Sequence, residues 1–255
     1  MLDRNNSCYT FPLQQTLGFT DSDMNYLRSF IAFLLLSIVS GALMAAEETL
    51  IAKNGSAIKL LYFEPKLRPV SPRLAVLISG GTSNTFMARA QFWLGKELIE
   101  RGWSIAVPIA PDRSGFTGAN ALLIPDLVTL LQVRHGLGSS KPLLVGISSG
   151  GSAALAIAVQ NPESYGGVVA TPGRLLDELN LKPLHGLPIY LRIGENDDFR
   201  WNRHLAVMEK KLRDAGGNVD AAIVVDAKHI FQLEWDNLEN WLNGLQQPSK
   251  SAGLH

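Results

Sequence analysis

Residues 146–150 read Gly-Ile-Ser-Ser-Gly, a G-x-S-x-G spacing, followed at once by a second glycine. A serine hydroxyl attacks a carbonyl carbon only when a base takes its proton. The apolar run "PLLVGIS" before the motif suits a strand, and "SGGSAALAIAVQNP" after it suits a helix. A nucleophile on such a strand-to-helix turn stands exposed, and flanking glycines remove the Cβ atoms that would crowd it. The helix start beyond it favours developing negative charge. The bland alternative is a glycine-rich connection with capping serines. The strand-before, helix-after context favours Ser148 as nucleophile.

The base should come from a loop at the same sheet edge, after the serine in the chain. The five histidines are His135, His185, His204, His229 and His255. His135 precedes the serine and ends a helix, His185 sits in a loop before a strand, His204 lies within a helix and His255 ends the chain. His229 directly follows the apolar run 220–227 and occupies the place a general base needs. A third group must orient the imidazole. Glu195, Asp197 and Asp198 cluster just past the run "PIYLRIG", and Asp226 is a local rival. An oxyanion also needs donors. The backbone N–H of Ser149 is one, with its side chain free to cap the helix. Gly81 or Thr82, in "ISGGTSN", offers another.

Other chemistries find less support. The glycine-rich loop 78–84 lacks the Gly-Lys-Ser/Thr of a phosphate loop and contains no G-x-G-x-x-G. No histidine pair has zinc spacing.

The elements that must position these residues alternate regularly. "TLIAKNG" and "AIKLLYFEP" form a hairpin around Asn-Gly. Residues 73–81, 104–111, 142–148, 166–173, 188–196 and 220–227 read as strands. Residues 89–102, 119–136, 149–162, 200–217 and 232–245 read as helices, with Pro125 early in its helix or at a break. Continuous apolar strands alternating with helices predict an α/β domain, an eight-stranded mostly parallel sheet covered on both faces. The tail from Gln246 is polar and expected to fray.

The chain of 255 residues carries no net charge and 18% charged residues, which gives no reason to expect nucleic acid as a partner. Residues 24–46 have the order of a secretory signal peptide: Arg28, an apolar stretch from Phe30 to Val39, then small residues. The stretch is short for a span, which needs about 20 residues; an uncleaved membrane anchor is the alternative. Cleavage is expected after Ala45 or Ala46. Residues 1–23 then read as an upstream extension or leader, with Met24 a normal start, and 47–255 as one domain. The only cysteine, Cys8, lies in that leader, so a disulfide framework and a cysteine nucleophile are excluded from the mature chain. Export, to a periplasm or outside the cell, is the expected destination. No stable membrane association is expected after cleavage.

The sequence resembles the α/β-hydrolase family over residues 50–245, through "LISGGT", "APDRSGFTG", "GISSGG", "RIGENDD" and "DAKHIF" in the family's order. Ser79-Gly80 stands where many members have His-Gly, which loosens the assignment of the second oxyanion donor. The resemblance implies the α/β-hydrolase fold and acyl transfer to water through an acyl-serine, without metal or organic cofactor. It also implies Asp197 as the acid, because the family's acid commonly lies three residues after the glycine that ends this strand. Asp198 is then expected to cap the helix near Arg200. The short connection between strands 166–173 and 188–196 leaves no room for a cap domain. The compact form resembles dienelactone-hydrolase-like and small exported serine esterases. A carboxylesterase acting on a small or polymer-borne ester is the leading expectation. The alternatives are a non-catalytic binding module, a peptidase or a thioesterase of the same fold.

Overall fold

The computed structural model describes residues 45–175 and 179–245. The expected leader, Cys8, nearly all of the expected signal peptide and the tail from Gln246 lie outside the described residues. Among the described residues, no helix is long and apolar enough to cross a membrane.

Eight strands form one sheet: β1 (Ala46–Ile51), β2 (Ala57–Phe63), β3 (Arg73–Ile78), β4 (Trp103–Ile109), β5 (Leu143–Gly146), β6 (Gly167–Ala170), β7 (Pro188–Gly194) and β8 (Asn218–Val224). Their order is β1-β2-β4-β3-β5-β6-β7-β8. The first hairpin pairs antiparallel, as does β2 with β4, and every later pairing is parallel. All four residues of β5 and β6 are buried, as continuous apolar strands covered on both faces must be. Register lines up the strand ends. Ile78 pairs with Gly146, Gly146 with Ala170, and Gly194 with Val224. The segments beginning at Ser79, Ile147, Thr171, Glu195 and Val225 therefore all leave the sheet at its C-terminal edge, where open α/β sheets bind ligands.

The helices are α1 (Thr85–Ala90), α2 (Trp93–Glu100), α3 (Gly118–Ala121), α4 (Leu123–Arg134), α5 (Ser149–Gln160), α6 (Leu205–Asp214) and α7 (Trp235–Gly244). The helix expected over 89–102 is split. α1 starts earlier, with the Asn84 side chain accepting the Met87 N–H at 2.9 Å, and the break falls at Gln91-Phe92. The Phe92 ring stacks on Phe63 at 3.9 Å and lies against Gly95, where a Cβ would meet it at 2.4 Å. The helix expected over 119–136 also divides, at Leu122. Pro125 sits in the first turn of α4, where its missing N–H costs no helix bond. The helix expected from Arg200 opens as a 3-10 turn, Trp201–His204, before α6. Residues 171–187 connect β6 to β7 without any helix or strand among those described, so the fold carries no cap domain there.

Candidate active site

Ser148 lies between β5 and α5 with φ 57° and ψ −126°, a backbone conformation that a non-glycine residue adopts only when its surroundings hold it there. Three bonds do so. Ser148 N–H donates to Pro172 O at 2.8 Å, Ile147 N–H to Ile78 O at 3.3 Å, and Gly150 N–H to Ile147 O at 2.9 Å. The turn is too tight for side chains at its flanks. A Cβ on Gly146 would stand 2.2 Å from Gly150 O, and one on Gly150 would stand 2.1 Å from Ile78 O. The glycines of the motif thus let α5 start directly against the ends of β3 and β5.

The three residues expected to act together meet at this edge. Ser148 Oγ lies 2.8 Å from His229 Nε2, and His229 Nδ1 lies 3.1 Å from Asp197 Oδ2. With the ring proton on Nδ1 facing the carboxylate, Nε2 presents a lone pair to the serine O–H. The Asp197 side chain is fully buried and the His229 side chain is 8% exposed, so the pair interacts with little water between.

The loops that carry the acid and the histidine are stitched together. Glu195 N–H donates to Val224 O at 2.9 Å and Asn196 N–H to Ala227 O at 2.8 Å. Asp226 N–H donates to a Glu195 carboxylate oxygen at 3.0 Å, and Asn202 Nδ2 donates to Glu195 O at 2.7 Å. The Glu195 carboxylate is therefore held by the Asp226 backbone and not by the imidazole. Asp197 turns its second oxygen, Oδ1, to the Phe199 N–H at 2.7 Å. The expectation that Asp198 caps a helix is not met. The 3-10 turn begins at Trp201 with no side-chain cap, and the N–H of Arg200 before it bonds to Asp197 O at 2.9 Å. Asp198 is exposed.

The loop after β3 passes directly over Ser148: a Cβ on Gly80 would lie 2.8 Å from Ser148 Cβ. Its donors are partly engaged. Gly80 N–H donates to Gln91 Oε1 at 2.6 Å, and Gly81 N–H donates to Ser149 Oγ at 2.8 Å. Among the described residues, the N–H groups of Thr82 and Ser149 have no acceptor. The Ser149 side chain, expected to cap its helix, reaches instead across to the β3 loop. Ser83 fixes the far end of that loop, its N–H donating to Arg113 O at 3.1 Å and its Oγ accepting the Ala110 N–H at 2.8 Å.

The other described histidines stand apart from this arrangement. His135 stacks on Tyr62 at 3.7 Å and faces Glu48 at 3.1 Å. His185 sits in a loop with φ 48°, and His204 closes the 3-10 turn before α6 and does not lie within the helix. Three residues that the sequence did not single out adjoin the site: Gln91 against the β3 loop, and Phe199 and Trp201 against the His229 ring at 4.5 and 5.0 Å between centroids. Gln91 falls at the break between α1 and α2, and nothing in a helical spacing flags such a break.

Residues 119–242 match the family model of the dienelactone hydrolase family. No curated protein matches the sequence. Among solved structures, an esterase of Pyrococcus furiosus superposes with a TM-score of 0.64 at 12% identity, covering 81% of this chain and 92% of that one. A dienelactone hydrolase of Anabaena variabilis gives 0.58 at 17% identity, covering 79% and 95%. A thermostable esterase gives 0.58 at 18% identity over 72% of this chain, which spans 55% of that protein's length. These structural likenesses speak for the fold, and the family match adds the chemistry. The chain has the α/β-hydrolase fold, and its match to the dienelactone hydrolase family over residues 119–242 supports an ester-acting hydrolase.

Proposed function

We propose that this hydrolase is a carboxylesterase that works through an acyl-serine on Ser148, with His229 as general base and Asp197 as its orienting acid. The 2.8 Å approach of Ser148 Oγ to His229 Nε2, backed by Asp197 at 3.1 Å, is the observation that carries this reading. His229 Nε2 takes the serine proton as Oγ bonds to the ester carbonyl carbon. The carbonyl electron pair moves onto oxygen, which becomes an oxyanion beside the Ser149 N–H. When the C–O bond breaks, the same proton goes from Nε2 to the leaving alkoxide. Water then repeats the sequence on the acyl-serine and releases the acid. Throughout, the Asp197 carboxylate stabilises the imidazolium without taking its proton.

The edge of the site is open, and exposed apolar side chains stand beside the histidine: Phe199 is 67% exposed and Ile230 54%. Such a rim suits small esters with an apolar portion more than a long lipid chain held under a lid. The test is labelling with a fluorophosphonate, combined with a panel of p-nitrophenyl esters of rising chain length. Labelling that maps to Ser148, and loss of about a millionfold in turnover in Ser148→Ala, are the expected results. Wild-type hydrolysis by Ser148→Ala would sink the reading.

We also propose that the chain is exported after cleavage near Ala45. β1 begins at Ala46, which pairs with Tyr62, so a cut after Ala45 leaves the first strand whole. N-terminal sequencing of protein from its native host tests this. A chain still carrying residue 1 in the cytosolic fraction would overturn it.

A further inference from the structure

We propose that the Ser149 hydroxyl is itself a donor to the oxyanion, a catalytic role for the side chain distinct from that of the Ser149 backbone. The inference rests on the reading of Ser148 as nucleophile. It begins with an account of donors around the place where the oxyanion forms. Of the loop over the nucleophile, Gly80 N–H is taken by Gln91 Oε1 at 2.6 Å and Gly81 N–H by Ser149 Oγ at 2.8 Å. The Gly81 amide, one of the two candidates for the second donor, thus points at a hydroxyl oxygen, while the N–H of the other, Thr82, has no acceptor among the described residues. A hydroxyl that accepts a bond on its oxygen still carries one proton to donate. Among the described residues, no acceptor receives the Ser149 O–H, and the residue is exposed.

Geometry fixes where that proton is available. Ser149 is the first residue of α5, one position after the nucleophile, and its own N–H is unpartnered among the described residues. Its Oγ bridges to the β3 loop, whose Gly80 lies against Ser148. The hydroxyl therefore sits between the two backbone segments that border the reacting carbonyl. An N–H donated to a hydroxyl oxygen polarises its O–H and strengthens the bond that the O–H makes onward. Gly81 acts through Ser149: Gly81 N–H to Ser149 Oγ, then Ser149 O–H to the oxyanion. No proton is transferred; the bond tightens as charge develops on the carbonyl oxygen. A side-chain donor placed in this way favours the transition state over the bound ester.

The alternative is that Oγ merely occupies Gly81 N–H until substrate displaces it. The two readings differ in sign. If Gly81 N–H is the true donor, Ser149→Ala frees it and turnover holds or rises. If the hydroxyl donates, Ser149→Ala removes the donor and turnover falls. The experiment measures kcat and KM on p-nitrophenyl acetate for the full chain and for Ser149→Ala and Ser149→Thr. Alongside, it measures affinity for a trifluoromethyl ketone, which forms a tetrahedral adduct, and for the matching methyl carbinol, which cannot. The expected result for Ser149→Ala is a fall in kcat of about 100- to 1,000-fold, the scale of one lost oxyanion donor, with KM within about twofold. Ketone affinity falls in parallel, carbinol affinity is unchanged, and Ser149→Thr, which keeps the hydroxyl, recovers most of the rate. A kcat for Ser149→Ala within about threefold of wild type, or a loss shared equally by the carbinol, overturns the proposal. Failure of the underlying reading looks different: Ser148→Ala would then stay active and wild-type protein would take no fluorophosphonate.

Discussion

Asp197 and His229 meet at 3.1 Å with the carboxylate side chain wholly out of solvent. The same carboxylate accepts the Phe199 N–H on its other oxygen. One side chain thus fixes both the imidazole and the turn that carries it. Replacing it by an amide keeps the shape but offers an N–H where an acceptor is needed. Asp197→Asn should lower kcat by up to about ten-thousandfold, the scale seen when a triad acid becomes an amide. Steady-state kinetics with circular dichroism would check that the fold persists while the rate falls.

Asp198 is the control for that experiment. It is exposed and makes no helix cap, because Phe199 and Arg200 both give their N–H groups to Asp197. Asp198→Asn should leave kcat within about twofold and stability within about 0.5 kcal/mol, as for ordinary surface changes. Urea unfolding and the same ester assay read both quantities. A rate loss in Asp198→Asn that exceeded the loss in Asp197→Asn would move the acid by one position.

Gln91 grips the Gly80 peptide on both sides, accepting its N–H at 2.6 Å and reaching its carbonyl with Nε2 at 3.5 Å. Gly80 lies against Ser148, so this amide sets the height of the loop over the Ser148 side chain. Gln91→Leu removes both contacts at similar volume. A misplacement of about 1 Å near a reacting centre can cost on the order of a hundredfold. The expected outcome is a kcat loss of about 10- to 100-fold and a largely unchanged melting temperature. A Gln91→Glu variant keeps the acceptor for Gly80 N–H but places a charge beside Gly80 O, and should fall between the two.

Gly150 separates fold from chemistry. A Cβ there would stand 2.1 Å from Ile78 O, a backbone atom of a central strand that cannot step aside. Gly150→Ala should cost about 3 kcal/mol or more through overpacking, and thermal unfolding should register it directly. An alanine variant as stable as wild type would mean that the turn is looser than its contacts imply.

How much of this was legible beforehand follows from the kind of signal each part leaves. The parallel strands announce themselves because burial on both faces demands unbroken apolar runs such as "RLAVLI" and "LLVG". Ser148 and His229 were legible because their neighbours are local in sequence: a glycine-flanked turn, and a loop directly after a strand. The acid needed the family's offset, since Glu195, Asp197 and Asp198 are equivalent by composition and only the turn geometry separates them. The place of Ser149 at a helix start suggests a cap for its side chain, which instead accepts the Gly81 N–H. Its partner, Gly81, lies 68 residues earlier, and only the sheet order brings the two loops together. Gln91 left no signal for the same reason. The helix breaks at Gln91-Phe92 and Leu122 depend on tertiary packing, which overrides the helical spacing on either side.

Phe199 joins the turn after β7 to the exposed rim beside His229. Its ring meets the His229 ring edge-on, 4.5 Å between centroids, while Trp201 closes on the same imidazole at 5.0 Å. Edge-to-face aromatic contacts of this kind are worth about 0.5–1.5 kcal/mol beyond their buried area. Phe199 is nevertheless 67% exposed, so one part of its ring packs on the histidine and the rest faces solvent. Phe199→Ala keeps the backbone N–H that holds Asp197 and removes only the ring. It should lower kcat by up to about tenfold through a looser imidazole, from the same contact energy. It should also raise KM for p-nitrophenyl butyrate more than for methyl acetate, because only the larger ester has apolar surface to lay against the ring. Phe199→Leu, which restores apolar area without an aromatic edge, should recover KM and leave kcat low. If Phe199→Leu recovers both, or Phe199→Ala alters neither, the ring is a bystander and the rim of the site must be sought elsewhere.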